Sequence, residues 1–351
     1  MKRRKRKKFL SVFYLLCYNK KRKNKGGQGF TMRKKHQINF LDEDIDSNNS
    51  KLLTEAEESE KELMFKEAEQ RGKTFNGLSA KEWAGFSRSV WNDVSSVRAN
   101  RHLMHGATYP EKLCDRVIRM YSKEGDIVLD PFLGTGTTSL AAIKAKRNAI
   151  GIELNDKFFA VSEQEINNVM VGSSTLFGEV KITSQTIKGD CTEKLDDLDD
   201  EIIQITFTSP PYADLIHKVE EDRAKRHKNS AFVFENNSKT KKYSDDERDL
   251  GNMPLGQYLD AVGAIMKKLY KKTRKGGYNI WVVKDYRDMQ NEIPYVDLHS
   301  MIAKAGVDAG FKYHDLIIWD QNQHRKLVLL GYPSRFYVNQ NHSYLVVLRK
   351  W

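Results

Sequence analysis

Cysteine, proline and long apolar runs are all scarce in this chain. Its three cysteines, Cys17, Cys114 and Cys191, have neither metal-ligand spacing nor an even pairing. That excludes a disulfide framework and a cysteine metal site, and it suits a reducing interior. The apolar stretch Phe9 to Tyr18 is half the length of about 20 residues that a bilayer span needs. Asn19-Lys20-Lys21-Arg22-Lys23 follows it and supplies no small-residue cleavage site, so a secretory leader is not expected. There is no internal repeat.

Acid is missing from the first 31 residues, which carry twelve lysines and arginines. Removing those twelve from the 59 Lys and Arg leaves 47, matched by the 47 Asp and Glu. The net charge of +12 therefore belongs to the extension, and the body is neutral. Any nucleic-acid surface must come from local clusters, with candidates at Arg223 to Lys228, Lys239 to Lys242 and His324-Arg325-Lys326. Each also fits a solvated charge run.

Three regions are expected: a basic extension at 1–31, a flexible charged arm at 32–73, and a folded domain at 74–351. Lys25-Gly26-Gly27 can be encoded as AAAGGAGGU, a bacterial ribosome-binding sequence just upstream of the Met32 codon. The reading from this is that translation starts at Met32; the rival is a nucleic-acid-binding tail. Within the folded domain, residues 213–252 are polar and lysine-rich. A loop this long inside a compact domain is functional or disordered.

Two motifs carry the chemistry. The apolar run Ile202 to Thr208 reads as a buried strand ending in Ser209-Pro210-Pro211-Tyr212. Proline fixes φ and removes backbone donors, so this turn presents rigid carbonyl acceptors. The Tyr212 ring offers a face on which a planar base can stack. Acceptors from Ser209 and Pro210, placed on the two N–H groups of a flat amine, would pull its nitrogen toward tetrahedral geometry. An ordinary strand-to-loop exit would also suit Pro-Pro.

The second motif is Asp130-Pro131-Phe132-Leu133-Gly134-Thr135-Gly136-Thr137-Thr138, between the strand 126–130 and a helix from Thr138 to Arg147. Gly134 and Gly136 allow close backbone approach to a ligand, and the helix N-terminus favours an anionic group. Asn148 to Leu154 then reads as a strand with Glu153 near its end, where doubly wound sheets hold a ribose by its hydroxyls. A nicotinamide site would want a third glycine where Ser139 stands.

Asp-Pro-Phe-x-Gly-x-Gly-Thr-Thr followed by Ser-Pro-Pro-Tyr resembles the S-adenosylmethionine-dependent DNA amino-methyltransferases, over roughly residues 74 to 350. The resemblance implies a doubly wound α/β, Rossmann-like methyltransferase sheet with a C-terminal antiparallel hairpin. It implies S-adenosylmethionine held by His105 and Thr108, by Asp130, Pro131, Phe132, Gly134, Gly136, Thr137 and Thr138 of the glycine loop, by Glu153 at the ribose and by Asp190 at the adenine. Ser209, Pro210, Pro211 and Tyr212 would be catalytic, on a base flipped out of double-stranded DNA, with no metal. No cysteine follows a proline as in methylation at cytosine C5. The glycine loop precedes SPPY here, whereas many members carry the reverse order.

Within the family, serine at 209 favours cytosine N4, with adenine N6 as the alternative. RNA or protein-amide methylation and a silent DNA-binding protein are more distant readings. A cytoplasmic restriction-modification or phage enzyme is expected, with a cognate endonuclease as a candidate partner and no membrane. The insertion 213–252 is expected to cover the flipped base and to touch DNA. Pro254 to Lys275 should form an amphipathic helix stopped by Gly276-Gly277, before a buried strand at 278–284. Phe311 to Trp319 should pair with the last strand as an edge hairpin. Trp281, Trp319 and Cys114 should be core.

Overall fold

The computed structural model describes residues 74–94, 109–173, 182–212, 246–288, 291–324, 329 and 332–351, with 58–59, 61–66 and 68–69. The chain divides into two units, Met1–Lys61 and Glu62–Trp351, and every strand and helix from Ala80 onward belongs to the second. The extension 1–31, most of the arm 32–73, His105, Thr108 and most of the insertion 213–252 lie outside the described residues.

An eight-stranded sheet organises the second unit. Its strands are β1 (Val90–Trp91), β2 (Ile127–Asp130), β3 (Asn148–Glu153), β4 (Ser184–Lys188), β5 (Ile203–Thr208), β6 (Thr273–Val283), β9 (Lys312–Asp320) and β10 (His342–Arg349). They lie in the order β1-β9-β10-β6-β5-β2-β3-β4. The run from β4 to β6 is parallel, and β10 is antiparallel to both β6 and β9. β7 (Tyr286–Asp288) and β8 (Ile293–Val296) make a separate antiparallel hairpin directly after β6.

Composition explains the centre of this sheet. All six side chains of β5 are buried, as are the last three of β2. Strands covered on both faces read as near-continuous apolar runs; in β5 the Thr206 hydroxyl is buried without a partner. Helices α2 (Glu111–Tyr121), α3 (Thr137–Lys144) and α4 (Asp156–Ser173) pack on one face through Leu113, Val117, Leu140, Ile143 and Ile166. Helices α5 (Cys191–Lys194), α6 (Leu255–Lys272) and α7 (Leu298–Asp308) pack on the other. A short helix, α1 (Ala80–Phe86), precedes β1 and is closed by a Ser79/Glu82 capping box.

Helix α6 shows why the pattern folds this way. Tyr258, Val262, Ile265, Met266 and Leu269 recur at helical spacing and are all fully buried. Each such side chain contributes about 1.5–3 kcal/mol by leaving water. Trp281, Trp319 and Cys114 are buried in the core as expected.

The chain leaves β2 toward β3 and β4 on one side, then returns to place β5 and β6 on the other. This reversal opens a crevice between the carboxyl ends of β2 and β5, the place where doubly wound sheets bind ligands.

Two expectations are corrected. Gly276-Gly277 does not stop a helix at Lys275: α6 ends at Lys272, and β6 already includes both glycines. At Gly277 a Cβ would stand 2.9 Å from the Gln204 carbonyl oxygen on β5, so the glycine serves close strand packing. The β9–β10 hairpin is present, but β9 is not an edge, because β1 pairs with it in parallel. Trp91, at 1% exposure, holds that added strand against the core.

Candidate functional site

A cleft of about 690 Å³, counting space open to solvent, lies at the carboxyl ends of β2, β3, β4 and β5. The glycine loop contributes Pro131, Phe132 and Gly134, β3 contributes Glu153, and Asp190 follows β4. Ser209, Pro210 and Pro211 line the same cleft. The two sequence motifs, about 75 residues apart, thus meet in one space. Sequence reasoning did not single out Asn155, Phe158, Arg248, Asp249 or Leu250, which also line it. Phe158 could be found only through the helical phase of α4. The last three come from the end of the 213–252 insertion, so part of that segment belongs to this cleft.

Glu153 is buried, and both its oxygens are engaged by backbone. Oε2 accepts from the Gly134 N–H at 2.7 Å and Oε1 from the Asn155 N–H at 2.7 Å. Each oxygen keeps a second lone pair for a donor in the cleft. Burial pushes this carboxyl up to about 7, against the pull of the two backbone hydrogen bonds. Asp190 caps α5, accepting from the Thr192 N–H at 2.7 Å.

Asp130 has a different place. It is 1% exposed and does not face the cleft. Its Oδ1 accepts from Thr208 Oγ1 at 2.6 Å and from the Phe132 N–H at 3.1 Å. Its Oδ2 accepts from Thr138 Oγ1 at 2.6 Å and from the Tyr109 hydroxyl at 3.1 Å. Burial pushes the Asp130 carboxyl up and these donors pull it back. The carboxylate is thereby saturated within the protein. It ties the end of β2 to the end of β5 and to the first turn of α3, setting Ser209 against the glycine loop.

Gly136, at the N-cap of α3, has φ of +88°, and a Cβ there would press on Ser162 at 3.2 Å. The Thr135 and Thr137 hydroxyls at this helix start are buried without a partner. Gly136, Thr137 and Thr138 do not line the cleft. Tyr212 is half-buried and packs against the α6 side of the core, beside the cleft lining.

These residues fit S-adenosylmethionine. Glu153 offers acceptors for two ribose hydroxyls, Asp190 an acceptor for an adenine amino group, and Phe158 and Leu250 apolar faces for its ring. The fold is a doubly wound, Rossmann-like sheet with this cleft at the carboxyl ends of its parallel strands.

The DNA methylase family N6_N4_Mtase matches residues 3–164. Type II methyltransferase M.BglI of Bacillus subtilis is 36% identical over 113 residues, which are 32% of this chain and 32% of that protein. Type II methyltransferase M.MthZI of Methanothermobacter thermautotrophicus is 48% identical over 85 residues, 23% of this chain and 24% of that protein. The chain thus spans a quarter to a third of the length of these relatives. An S-adenosylmethionine-dependent methyltransferase structure from Methanosarcina mazei is 12% identical, with a TM-score of 0.38, covering 67% of this chain and 96% of that one. Over these parts of its length the chain is similar to DNA methylases and to Type II methyltransferases.

Proposed function

We propose that this protein transfers a methyl group to the exocyclic amino nitrogen of a base in double-stranded DNA, and that the base is cytosine, modified at N4. The observation that carries the reading is the shared cleft: Ser209 and Pro210 line the same space as Glu153 and Asp190. S-adenosylmethionine, when bound, would supply a methyl group from a sulfonium that leaves as a neutral thioether, and the methylated nitrogen would release one proton to water.

The chain's own residues do the rest. Glu153 and Asp190 hold the two ends of the nucleoside. The Ser209 hydroxyl and the Pro210 carbonyl accept from the two amino N–H groups and free the nitrogen lone pair from the ring. Tyr212 offers its ring face to the base, which must leave the duplex because its amino group is otherwise paired. Asp130, through Thr208, keeps the acceptors at a fixed distance from the nucleoside site, so the rate rests on positioning and electrostatics. His105 and Thr108 would close the methionine end. A cognate endonuclease would fit a restriction-modification role, as would action without one.

The test is to incubate the protein with cofactor and unmethylated DNA, digest to nucleosides and analyse by mass spectrometry. N4-methylcytosine is expected. N6-methyladenine would keep the class and overturn the base, favoured here by Ser209 in place of aspartate. Modification confined to RNA would overturn both.

A further inference from the structure

Several large apolar side chains are left in water on the β8 strand and on the segment before β10. Leu329, Tyr332, Phe336 and Val338 lie in the segment joining β9 to β10, and Ile293 and Tyr295 lie on β8. Phe336 is 93% exposed, so the core gains almost nothing from it. Large apolar side chains left exposed near one another mark an interaction site.

Three observations say what occupies it. First, this is the catalytic edge: β6 runs parallel to β5, and Trp281, two residues from its end, pairs with Thr208 beside Ser209. The β7–β8 hairpin leaves β6 at that carboxyl edge, and residues 332–341 enter antiparallel β10 there. Tyr286 of β7 packs into the same cluster that Tyr212 abuts. Second, hairpin and segment form one surface. Arg287 donates to the Pro294 carbonyl at 2.7 Å and to the Val338 carbonyl at 3.1 Å. Its guanidinium also lies 4.7 Å from the Tyr337 ring centre. Third, the described residues 332–341 include Arg335 and no acid, and Arg287 of the hairpin abuts them, a charge balance complementary to phosphate.

We propose that duplex DNA docks on this surface and that Phe336 is the apolar wedge entering the base stack beside the extruded nucleotide. The inference rests on the methyl-transfer reading. Extruding a base breaks its stacking and pairing at a cost of a few kcal/mol. An apolar side chain inserted between base steps holds the duplex open. Among the described residues Phe336 is the most exposed large apolar side chain, on the edge where the amino acceptors lie. Arg335 beside it is placed for the backbone.

The test uses the full chain and, once the modified base is mapped, two duplexes. One is fully paired; the other carries an abasic position opposite the target, so the base is already unpaired. Phe336→Ala should fold with an unchanged melting temperature and bind cofactor as the wild type does. On the paired duplex its turnover should fall about tenfold, in line with the cost of extrusion. On the abasic duplex it should return to within about twofold of wild type, while Phe336→Leu should retain activity on both. Equal turnover of Phe336→Ala and wild type on the paired duplex would overturn the wedge, and so would an equal loss on both duplexes. A wild-type protein that methylates no DNA would overturn the methyl-transfer reading along with it.

Discussion

On the proposed reading Ser209 and Glu153 divide the work of the cleft, and separate measurements distinguish them. Ser209→Ala removes an acceptor that matters most as the amine pyramidalises. It should lower kcat by about 10- to 100-fold while the cofactor Kd stays within about twofold. Glu153→Ala should do the reverse and raise the cofactor Kd, because two ribose hydroxyls lose their acceptors. Glu153 also makes binding depend on pH. Burial pushes its carboxyl up to about 7 in the free protein, and the ionised form is the better acceptor. Cofactor affinity, read by calorimetry, should therefore fall as the pH drops from 8 to 6. A flat profile would mean that another group holds the ribose. The sign for stability is opposite: a carboxyl raised by burial favours the fold at low pH, and that contribution is lost as pH rises toward 7. If the ring face meets the base, as proposed, Tyr212→Phe should be mild and Tyr212→Ala severe in kcat. A severe Phe variant would assign the hydroxyl a role of its own.

At the scale of elements, the critical joint is the one between β2 and β5. Thr208 is buried, yet its hydroxyl is the link from β5 to Asp130. Thr208→Val keeps the volume and β-propensity of the strand but leaves one Asp130 oxygen short of a donor. It should cost about 1–3 kcal/mol in unfolding free energy. The signature of a positioning role is a drop in kcat larger than any change in cofactor Kd, with the Thr208→Ser variant near wild type. Loss of stability with unchanged kcat would reduce the residue to a structural one. The same joint shows how local sequence signals mislead. Gly276-Gly277 reads as a helix stop, whereas the backbone of β5 lies too close to Gly277 for any side chain. β1 is only two residues long, and no two-residue segment announces itself by periodicity. Its place beside β9 follows from the burial of Trp91.

For the whole molecule the important asymmetry is charge. Residues 1–31 hold the entire excess of base, and the remainder is balanced. A basic arm adds phosphate contacts that weaken steeply with salt. The chain starting at Met32 should therefore methylate DNA normally at moderate salt, and its log Kd should vary less steeply with log salt than that of the full chain. If removing the extension abolishes methylation, the arm is part of the enzyme. Among the described residues, no helix is long and apolar enough to cross a membrane.

What the sequence determined by itself was local chemistry: a rigid acceptor turn at Ser209-Pro210, a glycine loop opening a helix, and an acid closing the next strand. Such features are legible because each depends on residue type at short spacing, where proline, glycine and carboxylate have few other uses together. Only the tertiary structure decided which of these groups face the cleft. Asp130 stands inside the glycine motif, yet four donors from Tyr109, Phe132, Thr138 and Thr208 turn it inward. Arg248, Asp249 and Leu250 stand in a polar stretch without pattern, yet they close the cleft. The physical reason is that a hydrogen bond or a buried wall is made between residues far apart in the chain. Strand order brings them together, and strand order is set by packing two helical layers onto one sheet rather than by any segment alone.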